Sequence, residues 1–253
     1  MKISKSFERV NLIGVPVDNV SMEESVSFAK KTINQGGQAA IIAVNPEKVI
    51  AARCDPFLLK TIEASELLIP DGIGAVLAAR LQGAQIKSRV AGAELMPQLC
   101  AMAEEENFSV FLFGASELVN SKVVKVLKNL YPNIHIAGRK NGYISNTEYH
   151  DLVALINESE AKILFVALGS PRQERFISAY RDQLKVNIIQ GVGGTFDVLT
   201  ENVKRAPLWC RKLNLEWLYR LVSQPMRLFR QTALPKFVYL VLRNFFSCKS
   251  RQA

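Results

Sequence analysis

ILFVALGSPRQERFISAYRDQLKVNIIQGVGG, running from Ile163 to Gly194, is the stretch whose reading decides the fold. Ile163 to Leu168 is an unbroken apolar run closed by Gly169-Ser170-Pro171. Helical spacing follows to about Gln183, and Val186 to Gln190 is a second short apolar run, closed by Gly191-Val192-Gly193-Gly194. Strands that are apolar on both faces belong to a parallel sheet covered by helices on each side. A strand, a helix and a second strand in this order make one right-handed crossover. Ligands of such sheets bind beyond the carboxyl ends of the strands. Gly169 to Gln173 and Gly191 to Thr195 fall there.

The alternation repeats on the amino-terminal side. Val10 to Val17 reads as a strand, and Ser21-Met22-Glu23-Glu24 as a capping box opening a helix to about Asn34. Ala39 to Val44 is a strand ended by Asn45-Pro46, an N-cap with proline at the first helical position. Helical pattern continues to about Glu63. Leu67 to Ile69 is a brief strand running into Pro70-Asp71-Gly72-Ile73-Gly74, with a helix to about Leu81. A connection through Arg89 to Gly92 leads to a helix from about Ala93 to Glu106. Strands at Ser109 to Phe113 and Ile134 to Ala137, and helices at Glu117 to Leu130 and about Asn146 to Glu158, complete the pattern. The predicted fold is α/β: a Rossmann-like parallel sheet with helices on both faces over residues 1–200, with 201–253 as a helical appendage.

That appendage carries the charge. Of the 32 Lys and Arg residues, eleven lie between Lys204 and Arg251, beside a single acid, Glu216. The rest of the chain is nearly neutral, so the net charge of +9 is local and signals a local partner. Nucleic acid, an anionic membrane surface and a phosphate-bearing substrate are the candidates. Lys236 to Ser247 is apolar nearly all the way round, yet at about 12 residues it is well short of the roughly 20 that span a bilayer. Flanked by Lys236, Arg243, Lys249 and Arg251, it suits a helix lying in the headgroup layer. The alternative is a helix packed on the core or on a second subunit. Arg220, Arg227 and Arg230 share roughly one helical face beside Leu213, Trp217, Leu218, Leu221 and Val222. Nucleic acid is disfavoured by so greasy a tail. Four scattered cysteines imply no disulfide framework, and the start of the chain has no signal-peptide h-region. The expected location is cytoplasmic, with any membrane contact peripheral.

Several catalytic signatures are missing. The chain has no P-loop, no G-x-G-x-x-G, no G-x-S-x-G and no D-x-D, so no metal or cofactor is called for. Neither His135 nor His150 neighbours a nucleophile, and His135 falls in a predicted strand. Asp71 stands out after an apolar strand and before a helix. It is either an N-cap or a general base at a strand end, where glycines admit a substrate. Ser170-Pro171-Arg172-Gln173 is likewise either a capping box or an anion site at a helix start. Gly191 to Thr195 is a loose phosphate cradle. Arg89 sits on the rim shared with Asp71.

Nine blocks, taken together and in order, resemble a known family. They are AVNPEK (Ala43–Lys48), PDGIG (Pro70–Gly74), RVAGAEL (Arg89–Leu95), FLFGAS (Phe111–Ser116), NGY (Asn141–Tyr143), ALGSPRQE (Ala167–Glu174), GVGGTFDV (Gly191–Val198), KRAP (Lys204–Pro207) and LEWLYRLVSQPMR (Leu215–Arg227). The set is similar to the WecG/TagA/CpsF glycosyltransferases, glycosyltransferase family 26. The resemblance implies transfer of an N-acetylmannosamine-type sugar from UDP to a polyprenyl-diphosphate-linked GlcNAc. Within the family the blocks look closest to the enterobacterial common antigen branch, which implies UDP-N-acetyl-D-mannosaminuronate as donor and GlcNAc-diphosphate-undecaprenol as acceptor. Another hexosyl transfer in a different surface-polysaccharide pathway is the alternative, and a non-catalytic, membrane-docked sugar-nucleotide binder is the alternative of another class.

By the same resemblance Asp71 is the catalytic base. Asn45, Arg89, Gly169, Gln173, Gly193, Gly194 and Arg205 are the substrate-binding candidates, and Arg220, Arg227 and Arg230 hold the acceptor's diphosphate. Lys48, just beyond Asn45, is a candidate cation for a donor carboxylate, against the alternative of a surface lysine. Two departures stand out. Ala43 replaces the threonine usual in the teichoic-acid branch, and Glu201 stands near a usual glycine. Oligomeric state is left open.

Overall fold

The computed structural model describes residues 7–202, 207, 210, 219 and 232–249. Its centre is a six-stranded, wholly parallel sheet. The strands are β3 (Ala39–Val44), β4 (Leu67–Pro70), β5 (Val110–Gly114), β6 (Ile136–Lys140), β7 (Ile163–Ala167) and β8 (Ile188–Gly191), in the spatial order β4-β3-β8-β7-β5-β6. Every residue of β4, β5, β7 and β8 is buried, as continuous apolar runs covered on both faces require.

The described helices are α1 (Met22–Asn34), α2 (Pro46–Cys54), α3 (Pro56–Ala64), α4 (Ile73–Leu81), α5 (Gly92–Glu105), α6 (Glu117–Leu130), α7 (Tyr149–Glu158), α8 (Arg172–Tyr180), α9 (Thr195–Leu199) and α10 (Ala233–Lys249). One core layer joins α1, α5 and α6 to the sheet through Phe28, Leu95, Leu99, Val123 and Leu127. A second joins α7 and α8 to the other face around Leu152, Ile156, Phe176 and Ile177. The capping box at α1 forms as the sequence predicts: Glu24 N–H donates to Ser21 Oγ, and Ser21 N–H to the Glu24 carboxylate.

The structure departs from the sequence reading at definite places. Val10 to Val17 is not one strand but a hairpin of β1 (Arg9–Leu12) and β2 (Val15–Asp18). Its turn places Ile13 at φ 53° and Gly14 at φ 88°, the left-handed pair that a two-residue hairpin turn demands. Asp18 fastens the hairpin to the sheet, accepting from Leu68 N–H at 2.8 Å and pairing with Arg9 at 2.7 Å. The helical stretch after Asn45 breaks at Asp55-Pro56. Pro56 has no N–H to continue α2, so it opens α3, capped by the Asp55 carboxylate. His135 precedes β6 rather than lying in it, and the helix after Ser145 begins with a 3-10 turn over Asn146–Glu148.

The continuous described part of the appendage runs from Thr232 to Lys249, and α10 packs along α2. Phe237 and Val241 are buried against the hairpin, α2 and α4. Val238, Tyr239, Leu242 and Phe246 are 45 to 64 % exposed on the opposite side. The expected apolar helix therefore exists, with one stripe against the body and another facing solvent.

Candidate active site

β3 and β4 lie side by side with Val44 opposite Pro70. Their carboxyl ends therefore place Asn45 and Asp71 together, and Asp71 N–H donates to Val44 O at 2.9 Å. Asn45 caps α2 as predicted, accepting from Lys48 N–H at 2.8 Å. Asp71 is not the cap of α4. That position is Gly72, at φ 84°, and no side chain caps the helix. Of the two readings the sequence left open for Asp71, the helix cap falls away. Gly74 supplies the close approach, since a Cβ there would meet Pro46 at 3.0 Å.

Arg89 reaches this rim because Val90 N–H donates to Pro70 O at 2.9 Å, which lays the connection along the end of β4. Its guanidinium is held by both oxygens of Glu94, at 3.2 and 3.1 Å. A buried glutamine the sequence reading passed over, Gln190 in β8, donates to Gly92 O and ties this connection to the middle of the sheet.

The loop after β7 builds the other wall. Gly169 adopts φ 74° and has open space where a Cβ would lie. Ser170–Pro171 is a cis peptide, Pro171 occupies the cap position of α8, and no side chain caps it. The predicted Ser170–Gln173 capping box is thus absent. Gln173 turns inward instead, with its Oε1 accepting from Gly193 N–H at 2.9 Å and its Nε2 donating to Glu174 Oε1 at 3.0 Å. Gly191 leaves room for this, since a Cβ there would sit 2.7 Å from Gln173 Nε2. Gly194 caps α9 and closes the glycine turn.

Lys48 is no surface lysine. It is 6 % exposed, and its Nζ lies 2.6 Å from Glu174 Oε1. A continuous polar chain therefore runs from α2 through Lys48, Glu174 and Gln173 to the Gly193 turn. Burial pushes the Glu174 carboxyl up, but the charge of Lys48 and the hydrogen bonds from Lys48 and Gln173 outweigh it and hold the group below the ordinary glutamate range. Glu174 was missed because its partner lies 126 residues away, beyond any local pattern.

The structure thus gathers Asn45, Lys48, Asp71, Arg89, Gly169, Gln173, Gly193 and Gly194 around the carboxyl ends of β3, β4, β7 and β8. Beyond the ends of β5 and β7 the backbones pack closely: a Cβ on Gly114 would fall 2.4 Å from Ala167 O, and one on Gly142 would fall 2.7 Å from Leu168. Arg205, Arg220, Arg227 and Arg230 lie outside the described residues.

Comparison with known proteins bears on this arrangement. The chain is 38% identical over 232 residues to the N-acetylglucosaminyldiphosphoundecaprenol N-acetyl-β-D-mannosaminyltransferase of Bacillus subtilis, covering 91% of this chain and 90% of that protein. It is 36% identical over 212 residues to the protein of the same name from Bacillus spizizenii, covering 84% and 82%. The model of the glycosyl transferase WecG/TagA/CpsF family matches residues 10–251. With a match that spans hairpin, sheet and appendage alike, the chain belongs to the WecG/TagA/CpsF family of glycosyltransferases.

Proposed function

We propose that this protein is an inverting hexosyltransferase that moves an N-acetylmannosamine-type sugar from UDP to GlcNAc-diphosphate-undecaprenol. The observation that carries the reading is the adjacency of Asp71 and Asn45 at the ends of β3 and β4, in a chain matching the family from residue 10 to 251. The names of the two Bacillus relatives supply the sugar and the acceptor. In this reading Asp71 takes the proton of the acceptor hydroxyl, whose oxygen attacks the anomeric carbon. The bond from that carbon to the UDP oxygen breaks, its electron pair leaves with UDP, and configuration inverts. Backbone N–H groups at the start of α8, with Arg89, meet the negative charge that develops. Arg205, Arg220, Arg227 and Arg230 hold the acceptor's diphosphate. Gln173 has both amide ends occupied, so its part is to fix the Gly193 turn beside the strand ends.

The protein works at the cytoplasmic membrane surface in this proposal. Among the described residues no helix is long and apolar enough to cross a membrane, and the solvent-facing stripe of α10 supports contact with lipid instead. The test is incubation with GlcNAc-diphosphate-polyprenol and a panel of UDP-sugars, with product mass as the readout. Asp71→Asn is expected to lower turnover on the order of 10²- to 10⁴-fold, as loss of a general base does, while calorimetry still detects UDP-sugar binding. Full turnover by that variant removes Asp71 from the role.

The finer proposal is an N-acetylmannosaminuronate donor, as in enterobacterial common antigen assembly, supported by the AVNPEK, RVAGAEL and GSPRQE blocks. It gives the donor's carboxylate to Lys48, which must then exchange Glu174 for substrate. Removing the competing carboxylate with Glu174→Gln should lower KM for the uronate donor and leave KM for UDP-N-acetylmannosamine unchanged. An equal change for both donors refutes the Lys48 assignment.

A further inference from the structure

Asn45 and Arg53 stand at opposite ends of α2, so about 12 Å of helix separates the strand-end site from a second polar region. Here the turn of the hairpin, the end of α2, the residue after α4 and one edge of α10 enclose a cleft of about 510 Å³. Two guanidinium groups line it, Arg53 and Arg243, and none of its lining residues is acidic. Arg53 donates to Ile13 O and is held against Gly14, where a Cβ would come within 3.3 Å of Nη1. Arg243 is exposed and has no partner among the described residues. Elsewhere Arg9, Arg89, Arg139, Arg175 and Arg181 each pair with a carboxylate. Two cations facing one cleft without an acid repel each other until an anion is shared between them. Planar guanidinium forks suit a phosphate in particular.

The surroundings select the source of that phosphate. At about 100° per residue, Val238, Leu242, Phe246 and Tyr239 occupy one arc of α10. Arg243 borders that arc on the side of Leu240 and Asn244, which line the cleft. The cleft therefore opens beside the exposed apolar stripe. A free phosphate has no use for such a flank, whereas a phospholipid offers an anion and acyl chains side by side. We propose that the Arg53–Arg243 cleft binds the headgroup phosphate of an anionic bilayer phospholipid, as a lipid site separate from the acceptor site. The proposal rests on the membrane reading of α10.

Vesicle flotation tests it, using phosphatidylcholine vesicles with and without phosphatidylglycerol. Each cation near an anionic surface is worth about fivefold in affinity, so Arg53→Gln/Arg243→Gln should lose on the order of 30-fold on phosphatidylglycerol vesicles and nothing on pure phosphatidylcholine. Arg243→Gln alone, which breaks no contact among the described residues, should lose about fivefold. Leu242→Ser/Phe246→Ser should weaken binding to both kinds of vesicle. If the arginine variants bind phosphatidylglycerol vesicles as the unchanged protein does, the cleft proposal is overturned and the membrane reading stands. Failure of the unchanged protein to float with either vesicle overturns both. Thermal stabilisation by inorganic phosphate that depends on Arg243, without any preference for phosphatidylglycerol, overturns the lipid assignment in favour of a soluble anion.

Discussion

Lys48 and Glu174 show what a single residue contributes here. A buried ion pair costs desolvation, and its removal from one side leaves an unpaired charge in the interior. Because the folded Glu174 titrates below its unfolded value of about 4.3, its contribution to stability is complete above that pH and fades as pH falls through the folded value. Thermal melts from neutral to strongly acid pH should show this loss, and Glu174→Gln should flatten it. Glu201 tells a different story. It holds the left-handed φ of 58°, a conformation glycine adopts without cost, so the side chain bears the strain. Glu201→Gly is expected to raise stability by about 1 kcal/mol, measured by urea unfolding. The placing of Asp71 and Asn45 at strand ends was legible because the signals that end a strand are local. The Lys48–Glu174 pair was not, since each residue by itself resembles a solvated charge.

Among the elements, those with strong local signals came through as read. Ala39–Val44 and Glu117–Leu130 have the bounds their apolar patterns predict. The hairpin was hidden because an isoleucine stands at the first turn position, where asparagine or aspartate would have announced the bend. The capping box at Ser170 failed for a tertiary reason: Gln173 gains more by closing on Gly193 and Glu174 inside than by reaching back to the helix start. For α10, the sequence could not apportion its apolar residues between body and solvent. Phe237→Ala should cost about 3–5 kcal/mol, as truncation of a buried aromatic does, whereas Val238→Ser should stay within about 0.5 kcal/mol. Comparable losses from both would mean that α10 is not seated on α2 in solution.

At the scale of the whole molecule, the parallel sheet gathers at one edge what the chain scatters over more than a hundred residues. The segment after β3 brings Asn45 and Lys48, the segment after β4 brings Asp71, and the segments after β7 and β8 bring Gln173 and Gly193. Sequence reading found this edge because strand ends in such folds are where glycine, proline and polar residues break apolar runs. It did not find that α10 lies against the same α2 whose first turn borders the site. A rigid rod of nine residues, about 13 Å long, therefore lies between α10, with its solvent-facing stripe, and the candidate site at the strand ends. Such a strut works as a ruler. If α10 rests on the bilayer as proposed, the height at which a hydroxyl can be glycosylated would be set by the fold itself, and carriers whose sugar stands too near the surface or too far above it would be passed over whatever their chemistry.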